Sequence, residues 1–162
     1  WISNALIGEN TEITSSKITD SKVGKNSTVG PNAHLRLNSK VGQKVRIGNY
    51  VELKNTSIDS GSSCAHLSYL GDAVIGKNVN IGCCVITVNY DGKTKHKTII
   101  EDNAFVGSNS NLIAPITVHK NSMIAAGSTI NKDVEENDLA IARARQEVKK
   151  EYVSKKKEKE VK

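Results

Sequence analysis

The sequence predicts an all-β fold in which short parallel strands wind into a solenoid. Three observations predict it: aliphatic residues recur at every sixth position, glycine often follows them, and aromatic residues make up only 4% of the chain. A period of six matches neither the 3.6-residue period of an α-helix nor a coiled-coil heptad, but it fits short strands joined by tight corners. Valine and isoleucine, which favour strands, then provide most of the core.

The six-residue period is continuous in two stretches, from Val23 to Leu53 and from Ile100 to Ile130. Three hexapeptides form one triangular coil of about 18 residues, and each coil buries its apolar faces only by stacking on its neighbours. Glycine after the aliphatic residue, as in Ile47-Gly48, permits the backbone angles that tight corners require. The sequence therefore predicts a β-helix of several stacked coils.

Two interruptions break this period. Steps of five residues occur between Leu53 and Ile75, and a polar stretch covers residues 89–97. This stretch contains the turn signal Asp91-Gly92, so we expect it to loop out of the coil. Loops that project from a rigid scaffold are where binding and chemistry concentrate.

The repeat ends after Val134. We expect a β-helix over residues 1–137 and a C-terminal region over residues 138–162, with a short helix from about Asp138 followed by a basic tail. The tail explains most of the net charge of +6, because residues 143–162 contain nine basic and four acidic residues. A solvated tail or a contact with a phosphorylated ligand fits this charge. Nucleic-acid binding fits less well, because no aromatic residues interleave with the basic ones.

The chain begins with Trp1, and its first residues lack the basic and apolar regions of a signal peptide. We therefore expect a piece of a longer protein that works in the cytoplasm, with reduced thiols. It contains Cys64, Cys83 and Cys84. If the adjacent pair lies in a strand, the two side chains point to opposite sides and cannot easily bridge each other.

Histidine is the natural base near neutral pH, and the chain contains four: His34, His66, His96 and His119. A surface histidine without a role is the usual case. The histidines are 23 to 32 residues apart, so no pair has the spacing of metal ligands, and we expect no metal site.

Several segments, taken in order, resemble the C-terminal acetyltransferase domain of the bacterial bifunctional N-acetylglucosamine-1-phosphate uridyltransferases/glucosamine-1-phosphate acetyltransferases, which are hexapeptide-repeat transferases. The resemblance extends over about residues 20–152. The segments are Gly30-Pro31-Asn32-Ala33-His34-Leu35-Arg36, Gly48-Asn49-Tyr50-Val51-Glu52-Leu53-Lys54, His66-Leu67-Ser68-Tyr69-Leu70-Gly71-Asp72-Ala73, Asn78-Val79-Asn80-Ile81-Gly82, Asn89-Tyr90-Asp91-Gly92, Lys95-His96-Lys97-Thr98, Phe105-Val106-Gly107-Ser108 and Ala140-Ile141-Ala142-Arg143.

The resemblance implies a left-handed parallel β-helix that assembles as a homotrimer with shared active sites, without membrane insertion or nucleic-acid binding. It implies acetyl transfer from acetyl-CoA to the 2-amino group of glucosamine 1-phosphate, without a metal, for UDP-N-acetylglucosamine and cell-wall precursor synthesis. The uridyltransferase domain is absent from these 162 residues. Two alternatives remain open: an acyltransferase with another acceptor, and a non-catalytic trimerisation module.

Residue by residue, the resemblance implies that His66 is the general base. It implies substrate binding by Arg36, Glu52, Lys54, Tyr69, Asn80 and Lys95. It implies acetyl-CoA binding by Cys83, Asn89, Tyr90, Ser108, Ala126 and Arg143.

Three positions depart from the family pattern. Ala65 replaces a glycine before the histidine, Leu37 replaces a proline after Arg36, and Cys83-Cys84 replaces an Ala-Gly pair. The cysteine pair stands near the family's acetyl-CoA channel, which its extra bulk could narrow.

Overall fold

The chain folds into a parallel β-helix, as the hexapeptide period predicts. The computed structural model describes the backbone of residues 1–160 and the side chains of residues 1–156. The strands are β1 (Ile2–Ile7), β2 (Glu12–Ile13), β3 (Lys17–Val23), β4 (Thr28–Val29), β5 (His34–Arg36), β6 (Lys40–Val41), β7 (Arg46–Asn49), β8 (Glu52–Lys54), β9 (Ser57–Ile58), β10 (Ser63–His66), β11 (Tyr69–Gly71), β12 (Ala73–Ile75), β13 (Asn80–Ile81), β14 (Ile86–Val88), β15 (Thr98–Ile100), β16 (Phe105–Val106), β17 (Asn111–Ile113), β18 (Ile116–Val118), β19 (Met123–Ile124), β20 (Thr129–Ile130) and β21 (Leu139–Ala140).

Successive strands belong to three faces of the coil. The first face runs β2-β4-β7-β10-β13-β16-β19-β21, the second β3-β5-β8-β11-β14-β17-β20, and the third β3-β6-β9-β12-β15-β18. Strand β3 serves both the second and third faces, because its first half pairs with β5 and its second half with β6. Strand β1 pairs with β3 along its length and closes the first coil.

The core is a set of aliphatic columns that run along the helix axis. On the second face Leu35 pairs with Leu53, and Leu53 with Leu70, and all three are fully buried. Full burial of one such side chain contributes about 1.5–3 kcal/mol. Because a single strand buries only one or two large residues, the fold depends on the continuity of each column from coil to coil.

Small polar residues fill the positions next to the corners and bond to the backbone. The Ser62 hydroxyl donates to the Gly76 carbonyl at 2.7 Å and accepts from the Val79 amide at 2.9 Å. Ser68 does the same between the His66 carbonyl and the Val85 amide. These hydroxyls satisfy backbone groups that would otherwise be buried without partners, which explains the serine content of the repeat.

One corner, between the third and first faces, carries a ladder of asparagines that we call the amide corner. Each of these residues has a positive φ, and each side-chain amide donates to the next one along, at 3.5, 3.2 and 3.2 Å. Asparagine tolerates this left-handed conformation better than most residues. The members are Asn78, Asn103, Asn121 and Asn137.

The two interruptions have different structures. The five-residue steps are absorbed inside the coil, since Leu53 pairs with Leu70 and Ile58 with Ile75 after 17 residues. The polar stretch leaves the coil, as predicted, between β14 and β15, so that Val74 pairs with Ile99 after 25 residues.

The C-terminal region differs from the prediction in the position of its helix. Leu139 and Ala140 form β21 under Met123 and Ile124, and the helix, α1, covers Tyr152–Glu160. The predicted helix start near Asp138 is wrong because the carbonyls of residues 138, 140 and 142 accept hydrogen bonds from the coil above. The end of the predicted tail, residues 161–162, lies outside the described residues. Within residues 1–160, no helix combines the length and the apolar character needed to span a membrane.

Candidate active site

Charged side chains cluster on the second face, in two adjacent columns. Arg36 pairs with Lys54 across β5 and β8, and Glu52 pairs with Tyr69 across β8 and β11. The Nε and Nη2 atoms of Arg36 each lie 2.7 Å from Glu52 Oε1. Four residues predicted to bind substrate are thus neighbours on one face.

Asp72 lies at the corner that follows this face and ties the cluster together. Its Oδ2 accepts from Asn89 Nδ2 at 2.5 Å and lies 3.5 Å from Lys54 Nζ, while its Oδ1 accepts from Asn55 Nδ2 at 2.6 Å. Partial burial raises the pKa of Asp72, but the two amides and the Lys54 ammonium outweigh it and hold the pKa below its usual range. A carboxylate of this kind fixes the position of Lys54.

Lys95 reaches the same cluster from the projecting loop. Its side-chain nitrogen lies close to that of Lys54, and because two ammonium groups repel each other, this neighbour lowers the pKa of Lys95, with Arg36 adding to the effect. Once Lys95 has lost its proton, its neutral amine can accept a hydrogen bond from the Lys54 ammonium, and this bond and the charge of Asp72 raise the pKa of Lys54. We call Arg36, Glu52, Lys54, Asp72 and Lys95 the basic cluster. The cluster contains three cations, Arg36, Lys54 and Lys95, and two carboxylates. Its net charge is therefore +1, which a bound anion could neutralise.

The loop that carries Lys95 is braced by its own side chains. Asp91 Oδ1 accepts from the amides of Lys93 and Thr94 at 2.8 Å each, and its Oδ2 lies 2.7 Å from His96 Nε2. The Thr94 amide and the His96 ring lower the pKa of Asp91. Tyr90 pairs with Lys95 and donates its hydroxyl to the Gly92 carbonyl at 2.7 Å. The loop is therefore a structured hairpin.

Gly71 makes room for the cluster, a role that the sequence analysis missed. It continues the column of Arg36 and Lys54, and a Cβ at this position would overlap the Tyr69 hydroxyl and lie 2.8 Å from Asn89 Nδ2. Asn89, predicted to bind acetyl-CoA, is buried here and bonds Asp72. The structure thus brings Tyr69 and Asn89 together over a position without a side chain.

His66 ends strand β10 and is exposed on the corner between the first and second faces. It pairs with Asn49 of the previous coil, and its Nδ1 lies 3.1 Å from Asn49 Oδ1. An amide oxygen can only accept, so this contact assigns the proton to Nδ1 and leaves a lone pair on Nε2. That is the tautomer a general base needs. The sequence analysis did not identify Asn49 as its partner.

The other histidines lie elsewhere. His34 is on the second face beside Glu52, and burial lowers its pKa. His96 belongs to the loop, and His119 Nδ1 lies 3.3 Å from Glu101 Oε2.

The column of His66 continues through every following coil, and we call it the site corner. Cys64 pairs with Ile81, Ile81 with Val106, and Val106 with Ile124. The residues two positions after each of these therefore stand in one line along the helix axis. The amides of Asn109 and Gly127 bond to the carbonyls of Cys83 and Ser108 at 2.7 and 2.8 Å, which confirms the stacking. The line is Asn49, His66, Cys83, Ser108 and Ala126.

Arg143 follows Ala142, the next position of the line, and its side chain reaches back to the site corner. Its Nη1 donates to the carbonyl of Ala126 at 2.8 Å, and the guanidinium stays exposed. This bond uses one of the five N–H groups of arginine, so the others are available to an anion. Four predicted residues, Cys83, Ser108, Ala126 and Arg143, therefore form a continuous track that begins at His66.

The prediction that Cys83 and Cys84 point to opposite sides is wrong. They lie in a corner and not in a strand, Cys84 has a φ of 59°, and the two Sγ atoms are 3.4 Å apart. The left-handed conformation of the second residue removes the alternation that a strand imposes.

The site corner and the basic cluster are neighbours in the chain, since only Leu67 and Ser68 separate His66 from Tyr69. Asn80 lies apart from both. It is exposed on the first face, in the column between Ser63 and Phe105. Among the described residues, no group of three histidine, cysteine or acidic side chains is arranged to hold a metal ion.

Comparison with known proteins gives one consistent family. Residues 97–132 match the family described as bacterial transferase hexapeptide (six repeats). The bifunctional protein GlmU of Clostridioides difficile (strain 630) is 58% identical over 159 residues, which cover 98% of this chain and 35% of that protein. GlmU of Geobacillus sp. (strain WCH70) is 57% identical over 152 residues, which cover 94% of this chain and 33% of that protein. The chain spans about a third of the length of these curated relatives.

Among solved structures, the UDP-N-acetylglucosamine acyltransferase from Campylobacter jejuni matches with a TM-score of 0.65 at 16% identity, over 87% of this chain and 69% of that one. At this identity the likeness shows the fold alone, and it agrees with the parallel β-helix described above. Because the GlmU matches extend over nearly all of its length, the chain belongs to the hexapeptide-repeat transferases and corresponds in sequence to the carboxyl-terminal part of the GlmU proteins.

Proposed function

We propose that this chain transfers the acetyl group of acetyl-CoA to the 2-amino group of glucosamine 1-phosphate, a step in the synthesis of UDP-N-acetylglucosamine and cell-wall precursors. The observation that carries the proposal is the adjacency of two features, a histidine with a free Nε2 and a cluster of three cations and two carboxylates that has an excess positive charge. The first suits an amine that must lose a proton, and the second suits a sugar phosphate.

In this mechanism the basic cluster holds the acceptor. Arg36, already oriented by Glu52, offers its remaining N–H groups to the phosphate, and Lys54 and Lys95 act as point charges. Glu52 and Tyr69 bind the sugar on this face, and Asn80, which lies on the first face, reaches the sugar bound to a neighbouring subunit. The phosphate separates the facing ammonium groups of Lys54 and Lys95, which relieves their repulsion.

His66 carries out the proton transfers. Nε2 takes a proton from the acceptor ammonium, and the freed amine attacks the thioester carbonyl carbon. The tetrahedral intermediate collapses with cleavage of the carbon–sulfur bond, and the proton on His66 goes to the departing coenzyme thiolate. The nitrogen loses its second proton to solvent as the amide forms. Asn49 keeps Nδ1 protonated throughout, so the ring returns to its starting tautomer. No covalent enzyme intermediate forms.

The track along the site corner holds the donor. Cys83, Ser108 and Ala126 lie beside the pantetheine arm, with Asn89 and Tyr90 near the thioester, and Arg143 meets the phosphates of the coenzyme at the far end. A single β-helix presents flat faces, so we propose a homotrimer in which a neighbouring subunit forms the other wall of each site.

Thiol release from acetyl-CoA tests the proposal, with glucosamine 1-phosphate and glucosamine as alternative acceptors. We expect turnover with the phosphorylated acceptor to exceed that with glucosamine by at least about 100-fold, because two or three charge-assisted phosphate contacts are lost. Equal turnover with both acceptors would contradict the role of the basic cluster.

Lys95→Ala, with Lys93→Ala on the same loop as its matched control, tests the phosphate contact. We expect Lys95→Ala to raise the KM for glucosamine 1-phosphate about tenfold, because one charge-assisted contact is lost, and to leave the KM for acetyl-CoA unchanged. The phosphate binds the protonated lysine, so affinity is full at low pH. It is lost as the pH rises through the pKa of Lys95, which lies below the ordinary 10.5. An equal effect of Lys93→Ala would exclude a specific role for Lys95.

A further inference from the structure

Two thiols meet in the middle of the site corner. Cys83 Sγ and Cys84 Sγ are 3.4 Å apart, Cys84 is exposed and Cys83 is partly exposed. The left-handed backbone of Cys84 turns its side chain toward its neighbour. Tyr50, Leu67 and Asn109 have the same backbone conformation in the equivalent corners. The corner geometry is therefore shared by several coils, but the paired thiols belong to this one.

We propose that Cys83 and Cys84 form a bidentate site for trivalent arsenic compounds that carry one organic group. A metal–sulfur bond is about 2.3 Å long, so one thiophilic atom can bond two sulfurs that are less than about 4.6 Å apart. The observed separation meets this condition without any movement of the backbone.

The choice of arsenic over a metal ion follows from the number of ligands. A structural zinc ion takes four protein ligands, and a catalytic zinc ion takes three. In the described part of the chain, no third histidine, cysteine or acidic residue joins this pair. Arsenic(III) with one organic group needs two further bonds, and two sulfurs complete its valence.

The reaction is a condensation without change of oxidation state. An organic arsenoxide, R–As=O, forms one arsenic–sulfur bond with each cysteine, and the two thiol protons leave with the oxide oxygen as one water molecule. Arsenic stays trivalent, and each sulfur keeps the oxidation state of a thiol. The hydrogen bond to Cys84 and its nearby charge raise the pKa of Cys83, so the Cys83 thiol keeps its proton near neutral pH and releases it in this step.

The adduct would lie one coil from His66 on one side and one coil from Ser108 on the other, at a strand spacing of about 4.8 Å. If the proposed function holds, it occupies the path of the pantetheine arm and blocks acetyl-CoA.

Intact-mass spectrometry of the folded chain treated with phenylarsine oxide tests the site itself. We expect one phenylarsenic group per chain, with loss of one water, that survives a monothiol wash and is removed by 2,3-dimercaptopropanol. In C83S and in C84S the monothiol should remove the group about 100-fold faster, because the second bond, which acts as an intramolecular attachment, is lost.

C64A is the matched control, because Cys64 is fully buried on the preceding coil, and burial raises the pKa of its thiol to about 12. This variant should keep the retained adduct. An adduct that persists in C83S, or its absence from the wild-type chain, would overturn the proposal.

A second arm separates this site from the proposed function. Saturating acetyl-CoA should slow adduct formation at least about tenfold, because a bound coenzyme would cover the pair. If the adduct forms equally fast with and without acetyl-CoA, the dithiol site stands and the assignment of Cys83 to the coenzyme path falls.

Discussion

Two corners of the same β-helix differ in what their side chains do. At the amide corner the asparagines themselves have positive φ, and at the site corner the residue after each member of the line has it; both corners follow the same coil spacing and run the length of the second half of the molecule. At the amide corner each coil from Asn78 to Asn137 contributes asparagine, and each amide bonds to the next, whereas Lys44 and Gly61 take this position in the two coils before. At the site corner the residue changes in each coil, from His66 to Cys83, Ser108 and Ala126.

The contrast separates structural from functional selection. A ladder of identical side chains satisfies itself, so the amide corner needs nothing beyond the fold. The side chains of the site corner form no such ladder. The His66 ring and the thiols of Cys83 and Cys84 remain accessible at the surface. Variation within a repetitive scaffold therefore points to the residues that a bound molecule selects.

The largest expected effect is at the site corner. His66→Ala should lower the rate of acetyl transfer by about 10²–10⁴-fold, the usual contribution of general acid–base catalysis. Because His66 is exposed, the free energy of unfolding should change by no more than about 0.5 kcal/mol. Thiol release and thermal denaturation measure the two quantities.

His119→Ala is the matched control, since this histidine pairs with Glu101 away from the site corner, and it should retain full activity. Near-wild-type turnover in folded His66→Ala protein would remove His66 from the mechanism.

A smaller effect is expected one coil earlier. Asn49→Ala removes the acceptor that sets the His66 tautomer, and the misplaced ring should lower kcat about 10- to 100-fold. The KM values for both substrates should not change, because Asn49 acts only through His66. Asn111→Ala, which removes an exposed amide on the second face, provides the comparison. A change in KM without a change in kcat would show that Asn49 binds substrate directly.

The smallest effect is expected at the amide corner, on stability alone. Asn121→Ala should lower the free energy of unfolding by about 1–2 kcal/mol, because alanine resists the left-handed conformation and two amide bonds are lost. Asn121→Gly keeps the conformation and loses only the bonds, so it should cost less. Chemical denaturation ranks the variants. A loss of acetyl transfer in folded Asn121→Gly protein would contradict the division between the two corners.

The regular part of the fold could be predicted because its information is local. One aliphatic residue per hexapeptide predicts the columns of Leu35, Leu53 and Leu70, and the polar loop is recognisable from Asp91-Gly92. The helix start near Asp138 was wrong because the bonds that hold β21 come from residues 15 to 16 positions earlier, which no local pattern reveals.

For the site, the family resemblance supplied most of the proposed residues, but not the partners that the structure gives them. Asp72, Gly71 and Asn49 act through contacts that the coil creates at separations of about one turn, such as Asn49 with His66 and Asp72 with Lys54. Asp72 and Asn49 also occur in motifs that any hexapeptide corner could contain. Their roles follow only from which atoms face them.

By itself, the sequence determined the solenoid, its core columns, the position of the projecting loop and the residue types available for chemistry, because a six-residue period has few ways to bury its aliphatic residues. Tertiary structure alone decided the stacking of Cys83, Ser108 and Ala126 below His66, the meeting of Lys54 with Lys95, and the contact between Cys83 and Cys84. The length of each coil and the conformation of each corner set which residues become neighbours. Adding or removing one residue in a coil would place different side chains in the line of the site corner.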